Sequence, residues 1–296
     1  MTVSRRDFIL ATIGGMAAAC ARPLVAPRTA TLRFGYSAIT WGNNDLLAIN
    51  EISEVGYPGI QVRTNTWQHF WRQPSVFRDL LSQKKLTFVA LSSGAITLDG
   101  EREAQMLEDH VARARFVRDT GGSFLQVTDA PPAGRAPTPD DFARLSRLLT
   151  TLGARTAAIG VPLAYHHHMG TLSQGPEDTA RILAATDPQH VKLLLDTAHY
   201  QQGGGDPAGA IRAYRDRIAF LHLKDVEPSA NQDGYRFVEL GRGRVNFDAV
   251  FSALNQIGFD GWGVVELDAT TEPGRTARES AEINRKYLET RGFRVA

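Results

Sequence analysis

Short apolar runs alternate with longer amphipathic segments along the chain from Thr31 onward. The short runs have the length of buried strands, and the longer segments repeat their apolar residues at helical spacing. This alternation is typical of repeated βα units around a parallel sheet. Eight strands are predicted to begin near Leu32, Gly59, Leu86, Phe124, Pro162, Val191, Ile218 and Gly263. Their spacing of roughly 25 to 45 residues suits eight βα units, so we predict an α/β fold, a single-domain (β/α)8 TIM barrel over residues 31–296.

One of the intervening helices has clear signals at its start. Thr138 is suited to the N-cap, Pro139 to the first helical position, and acidic residues follow in the first turn. Apolar residues then recur at helical spacing at Phe142, Leu145, Leu149 and Leu152. One face of this helix is therefore predicted to be buried, as the outer ring of a barrel requires.

A doubly wound open sheet would show the same alternation. The polar residues distinguish the two folds, because a barrel collects its catalytic groups from the carboxyl ends of several strands. In the strand before residue 168, alternation places His166 and His168 on the face of Ala164 and His167 on the opposite face. We assign the face of Ala164 and His166 to the barrel interior.

The next three strands also end in polar side chains. The apolar run 191–195 ends at Asp196, the strand from Ile218 places His222 and Lys224 on one face, and residues 263–265 lead to Glu266. Burying such groups without a counter-ion would be costly.

Two imidazoles and two carboxylates from neighbouring strands form a mixed nitrogen and oxygen set. This set suits Mn²⁺, Co²⁺, Fe²⁺ or Zn²⁺ and leaves coordination positions open for substrate oxygens. Five of the eight histidines lie in these strand-end segments, which favours a site over isolated structural residues. The predicted metal ligands are His166, Asp196, His222 and Glu266.

Three further polar residues are candidates for substrate binding or catalysis. His199, in a predicted loop after Asp196, could bind substrate oxygens, move protons, or orient Asp196. Lys224 could stabilise an enolate or act as an acid, or it could pair with a nearby carboxylate. His168 shares the face of His166 and is a similar catalytic candidate.

Aromatic residues in predicted loops after the first two strands could stack on a sugar ring. These are Trp41, Trp67 and Trp71, for which packing in the core or a lid is the alternative. The segment 241–244, Gly-Arg-Gly-Arg, could bind phosphate or form a simple turn.

The first 20 residues have the pattern of an export signal. Arg5 and Arg6 precede an apolar stretch that ends at Cys20, which resembles a twin-arginine signal with a weak candidate lipobox. Residues 21–30 have the composition of a linker. We therefore expect a periplasmic or exported protein, with a lipid anchor at Cys20 or plain cleavage as alternatives.

The rest of the chain has the composition of an ordinary globular protein, with 43% hydrophobic and 22% charged residues. Removing residues 1–19 leaves equal numbers of basic and acidic residues. There is no electrostatic indication of nucleic-acid binding.

Four segments carry a resemblance to a known family. Residues 163–171, 193–199, 222–225 and 264–266 resemble the xylose isomerase-like, sugar phosphate isomerase/epimerase superfamily, and within it they are most similar to inosose dehydratases. The resemblance implies a TIM barrel with one divalent cation, often Mn²⁺ or Co²⁺, with Zn²⁺, Fe²⁺ or Mg²⁺ as alternatives. It also implies a small keto-sugar or inosose as substrate. Apurinic endonucleases share this barrel but use several zinc ions and additional ligands, so one metal is expected here.

The chain departs from the commonest pattern of this superfamily at His166, where isomerases and epimerases usually carry glutamate. The resemblance implies that related epimerases use two metal-bound glutamates as opposing bases, of which only Glu266 remains here. We therefore expect α-proton abstraction followed by β-elimination, as in a dehydratase, with an isomerase or epimerase as the alternative. A non-catalytic exported sugar-binding protein is a further alternative.

Overall fold

The computed structural model describes residues 30–295. The predicted export signal, Cys20 and all but the last residue of the predicted linker lie outside the described residues. Within residues 30–295 the strands are β1 Thr31–Ser37, β2 Gly59–Arg63, β3 Thr87–Ile96, β4 Phe124–Asp129, β5 Leu163–His166, β6 Val191–Asp196, β7 Ile218–Leu223, β8 Asp225–Pro228, β9 Tyr235–Val238 and β10 Asp260–Val265.

Helices follow the barrel strands. They are α1 Asp45–Val55, α2 Thr64–Phe70, α3 Pro74–Gln83, α4 Glu103–Asp119, α5 Pro139–Ala157, α6 Pro176–Ala185, α7 Thr197–Gln202, α8 Pro207–Ala213, α9 Phe247–Ile257 and α10 Ala277–Thr290, with a 3-10 helix at Ala38–Trp41. No helix within residues 30–295 has the length and apolar character needed to cross a membrane.

Eight strands close into a parallel barrel in the order β1-β10-β7-β6-β5-β4-β3-β2. The ring closes because β1 pairs in parallel with both β10 and β2. This confirms the predicted barrel and excludes the doubly wound sheet, which would leave two strand edges open. The remaining strands, β8 and β9, form an antiparallel hairpin after β7. The sequence did not predict this hairpin.

The helix predicted after Thr138 is α5. Thr138 and Asp141 form a reciprocal capping box, and Pro139 is its first residue. The four predicted apolar positions are buried against the barrel. The helix therefore begins where its cap and proline predicted.

The barrel interior is narrow and is filled by side chains. Beneath the polar residues it contains Phe220, stacked on Phe124 with ring centroids 5.2 Å apart. On β2, a Cβ at Gly59 would lie 2.4 Å from the Trp262 ring, so only glycine leaves room for that indole. The core is packed, and it supports the polar residues at its carboxyl end.

Candidate metal centre

The four predicted ligands lie one step above a layer of apolar side chains inside the barrel. That layer contains one residue each from β5, β6, β7 and β10, namely Ala164, Leu194, Phe220 and Val264. Because side chains alternate across a strand, the next inward-facing position on each chain segment lies two residues later. Those positions are His166, Asp196, His222 and Glu266.

The side chains of these four residues converge. The Oδ2 atom of Asp196 lies 3.6 Å from Nε2 of His166 and 3.3 Å from Nδ1 of His222. Oε1 of Glu266 lies 3.3 Å from the same Nδ1. All four residues are buried.

Three of the converging atoms have no hydrogen-bond partner within the described chain: Nε2 of His166, Oδ2 of Asp196 and Nδ1 of His222. Buried polar atoms are normally paired, so three unpaired atoms facing one another need an explanation. A divalent ion would satisfy all three, and imidazole with carboxylate is the donor set of first-row transition metals. The residues present therefore fit a metal ion.

Neighbouring groups orient each ligand. Oδ1 of Asp196 accepts hydrogen bonds of 2.9 Å from the backbone amides of Ala198 and His199 at the start of α7, which leaves Oδ2 for the centre. Nε2 of His222 lies 2.9 Å from Oε1 of Gln61. Donation of this N–H to Gln61 leaves the lone pair on Nδ1, the atom that faces the centre.

Gln126 is placed in the same way beside His166. Its amide lies 3.3 Å from Nδ1 of His166, and its Oε1 otherwise has no partner among residues 30–295. With the amide turned so that Oε1 accepts from Nδ1–H, the lone pair of His166 is on Nε2, facing the centre. Gln61 therefore sets the tautomer of His222, and Gln126 in the turned orientation would do the same for His166.

The sequence analysis missed Gln61 and Gln126, although a signal for both exists. Each is a polar residue between two buried apolar neighbours of a strand. Gln61 lies between Ile60 and Val62 on β2, and Gln126 lies between Leu125 and Val127 on β4. A polar side chain on the inward face of such a strand needs a partner inside the barrel.

The charges of the centre are strongly coupled. Burial alone would lower the pKa of His222, but Glu266 and Asp196 outweigh it and raise this pKa to about 9. Burial lowers the pKa of His166 to about 4. Burial would raise the pKa values of both carboxyls, but the neighbouring histidines and Lys224 outweigh it and hold both values well below their usual range. Both carboxylates are therefore ionised, and a metal ion would replace the proton on His222.

Lys224 is completely buried and pairs with carboxylates. Its Nζ lies 3.1 Å from Oε1 of Glu266, 2.5 Å from Oδ1 of Asp268 and 3.3 Å from Nε2 of His199. Burial would lower the pKa of Lys224, but Asp268 and Glu266 outweigh it and raise it. All three N–H donors of the Lys224 ammonium are thus directed at protein groups. This supports the alternative in which Lys224 pairs with carboxylates, over a role as an acid or in binding an enolate.

His168 and His199 pack against each other, with ring centroids 3.7 Å apart. His199 lies in the first turn of α7 and not in a loop, which corrects the expectation from sequence, because Asp196 caps a helix at this point. It is completely buried, and its ligand atom is also close enough to those of His166 and Asp196 to share an ion with them. His199 therefore lies next to His166 and Asp196 at the edge of the predicted metal centre.

His168 is the more accessible of the two. Its Nδ1 lies 2.6 Å from the carbonyl oxygen of Met169, to which it donates in the neutral ring. The lone pair is then on Nε2. His168 also contributes to the wall of the pocket beside the four predicted ligands, whereas His199 does not.

That pocket has a volume of about 150 Å³. Its wall contains His166, His222 and Glu266, together with polar residues that the sequence analysis did not assign, namely Gln61, Arg63, Gln126 and Asp268. Asp268 follows Glu266 by two residues and is about one third exposed. A second carboxylate is therefore present in the pocket, in addition to Glu266.

Trp41, Trp67 and Trp71 are not among the residues that line this pocket in the described part of the chain, which favours the packing alternative. Trp41 lies in the 3-10 helix, where it packs on Tyr36 and donates to Glu51. Trp67 lies in α2, also not in a loop, and stacks on Trp71 with centroids 6.3 Å apart. Because short helices follow β1 and β2, the rings of Trp41 and Trp67 pack against neighbouring aromatic side chains.

The segment 241–244 is a turn around a carboxylate. Oδ2 of Asp225 accepts 2.9 Å hydrogen bonds from the amides of Gly241 and Gly243, and Oδ1 accepts one of 3.0 Å from Val245. The backbone donors that would hold a phosphate are therefore already occupied, and the turn alternative is supported.

Comparison with known proteins gives a consistent picture. The model of the family described as xylose isomerase-like TIM barrel matches residues 49–287. Inosose dehydratase of Lacticaseibacillus casei is 28% identical over 294 residues, which cover 88% of this chain and 97% of that protein. Inosose dehydratase of Geobacillus kaustophilus is 28% identical over 272 residues, which cover 80% and 87%.

Solved structures show the same fold. The IolI protein with a bound zinc atom has a TM-score of 0.74 and 19% identity, and the match covers 87% of this chain and 97% of that one. The 3-keto-D-glucoside 4-epimerase from E. coli has a TM-score of 0.71 and 18% identity, with coverage of 88% and 100%.

Proposed function

The chain belongs to the xylose isomerase-like TIM barrel family, and from this premise we propose that it is a divalent-metal-dependent enzyme acting on a small keto-polyol or keto-sugar. We propose β-elimination like that of an inosose dehydratase as its reaction, which makes it a lyase. The similarity to two inosose dehydratases over at least 80% of the chain supports this class of substrate.

The observation that carries the proposal is the convergence of the unpaired atoms of His166, Asp196 and His222 beside Glu266. These four residues would hold the ion. Mn²⁺ or Co²⁺ is the ion that we propose, and the bound zinc in the IolI structure supports a divalent metal in this fold. When bound, the ion would act as a Lewis acid on the substrate ketone and stabilise the negative charge that develops when the α-proton leaves.

Protein groups would move the proton. His168 donates through Nδ1 to the carbonyl of Met169, so that Nε2 can accept the α-proton of a ketone in the pocket. The resulting imidazolium can return this proton to the leaving hydroxyl oxygen, which balances the elimination of water. Glu266 is the second candidate base. Lys224 holds Glu266 and Asp268 in position by its contacts to both carboxylates, and His199 supports the ring of His168.

Epimerisation is the second candidate, because Asp268 brings another carboxylate to the pocket wall. Glu266 and Asp268 lie side by side because both contact Nζ of Lys224. One of them could remove a proton from one side of a substrate, and a separate group such as His168 would return it on the other. The E. coli 3-keto-D-glucoside 4-epimerase has the same fold.

The test is to incubate metal-loaded protein with keto-inositols and 3-keto-sugars in D₂O and to analyse the products by mass spectrometry. Elimination predicts the loss of one water, whereas epimerisation predicts an unchanged skeleton that has gained deuterium. Replacing His168 by Gln should lower kcat by roughly 10²- to 10⁴-fold while the metal content stays unchanged. No turnover of any ketone would contradict the enzyme assignment and favour a sugar-binding protein.

We also propose that the protein is exported by the twin-arginine route and acts in the periplasm, with or without a lipid on Cys20. The motif at Arg5 and Arg6 supports this proposal. Labelling of cells with a fatty-acid analogue would distinguish the anchored form from the cleaved form.

A further inference from the structure

A second cavity adjoins the pocket beside the metal ligands. It has a volume of about 220 Å³ and lies between the β8–β9 hairpin and the loop after β10. Asp268 contributes to the walls of both spaces, so they meet at this residue. The second cavity therefore lies next to the site proposed to bind the ketone, with Asp268 between them.

The two spaces differ in their chemistry. The wall around the metal ligands is made of imidazole, amide and carboxylate groups. The second cavity is lined by the Phe237 ring, Ala269 and the methyl-bearing residues Thr270 and Thr271, in addition to Arg236 and Asp268. Its lining would favour an apolar group over a second polar ring.

Existing contacts hold the walls of the second cavity in place. The Phe237 ring lies 4.0 Å from Nζ of Lys224 and packs edge-on against His199. The guanidinium of Arg236 is engaged by Glu227 at 2.6 Å, and Thr271 donates to Glu239 at 2.9 Å. The cavity is thus built into the fold before any ligand binds, which reduces the entropy lost on binding.

The volumes indicate a ligand larger than a free ring. Small-molecule sites commonly have roughly 300 to 1,000 Å³, and the polar pocket alone, at about 150 Å³, falls below this range. The polar pocket and the adjoining cavity of about 220 Å³ reach it together.

We propose that this cavity is a subsite for an apolar, preferably aromatic, substituent of the substrate, so that the enzyme prefers a substituted keto-sugar to the free one. The inference rests on the proposed function, since the polar pocket would hold the keto-sugar ring. An aromatic group could pack against Phe237, beside which the small side chain of Ala269 leaves space.

The subsite can be tested by measuring the affinity of metal-loaded protein for 3-keto-D-glucose and for its phenyl glycoside by calorimetry. The wild type should bind the phenyl glycoside at least roughly tenfold more tightly, the effect of adding one apolar group to an apolar pocket. Ala269→Phe should abolish this preference by filling the cavity while leaving the affinity for 3-keto-D-glucose unchanged.

Ala133→Phe is the matched control. Ala133 is also exposed but lines a different cavity, after β4, so this variant should retain the preference for the phenyl glycoside. Equal affinity of the wild type for the two ligands, or an Ala269→Phe variant that keeps the preference, would overturn the subsite and leave the proposed function intact. Failure of the wild type to bind either ligand would overturn the proposed class of substrate and the subsite with it.

Discussion

Replacing Asp225 by alanine should loosen the segment that carries the β8–β9 hairpin. Asp225 is completely buried, and its carboxylate accepts hydrogen bonds from the amides of Gly241, Gly243 and Val245. Burial raises the pKa of this carboxyl, and the amide donors oppose that rise without cancelling it. Because Asp225 begins β8 and these amides follow β9, the bonds close the base of the hairpin.

The expected loss follows from these contacts. A hydrogen bond to a charged group contributes about 1.5–3 kcal/mol, and a buried amide left unpaired costs about 1–3 kcal/mol. In the variant, the backbone amide of Val245 would remain buried without a partner, whereas the amides of Gly241 and Gly243 are partly exposed and could bond to water. In the wild type, the cost of burying the Asp225 carboxylate offsets part of the stabilisation that these hydrogen bonds provide. We therefore expect Asp225→Ala to lower the free energy of unfolding by about 3 kcal/mol.

Chemical denaturation of Asp225→Ala and Asp206→Ala would measure this effect against a matched control. Asp206 accepts two 3.0 Å bonds from backbone amides at the exposed start of α8, an ordinary cap worth about 1 kcal/mol. Trypsin should also cleave after Arg242 and Arg244 faster in Asp225→Ala than in Asp206→Ala. Equal stability of the two variants with unchanged cleavage would refute the reasoning.

Three further predictions concern the metal, pH and export. The wild type should carry about one divalent metal ion per chain, and Asp196→Ala should lose it. Elemental analysis that finds equal metal in the two proteins would contradict the ligand assignment. Burial lowers the pKa of His110 from 6.5 to about 4, so its neutral form stabilises the fold above about pH 6.5, and this contribution is lost as the pH falls towards 4. His110→Gln should therefore reduce the stability lost between about pH 7 and about pH 5 by roughly 2 kcal/mol in denaturation experiments, and an unchanged pH dependence would show that burial of His110 has no such effect. Arg5→Lys with Arg6→Lys should retain the protein in the cytoplasm, and undiminished periplasmic recovery on fractionation would count against this route.

The convergence of the four predicted ligands was predictable because it depends on strand periodicity alone. Each ligand follows an inward-facing apolar residue by two positions, as Ala164 precedes His166 and Val264 precedes Glu266. The short helices after β1 and β2 were not predicted from the sequence. They have only four and seven residues, so neither is long enough to show a helical repeat of apolar positions. Trp41 and Trp67 were consequently placed in loops.

The sequence by itself determined the eight-stranded barrel and the four side chains at its carboxyl end, since apolar alternation and polar strand ends are local properties of the chain. Only the tertiary structure decided which groups surround them. Gln61 meets His222 across 161 positions of sequence, and Lys224 finds Asp268 across 44. These contacts depend on barrel closure and on the path of the loops, which set distances that no local pattern encodes. The hairpin that brings Phe237 to Lys224 is likewise held by Asp225, through hydrogen bonds that exist only once the chain has folded.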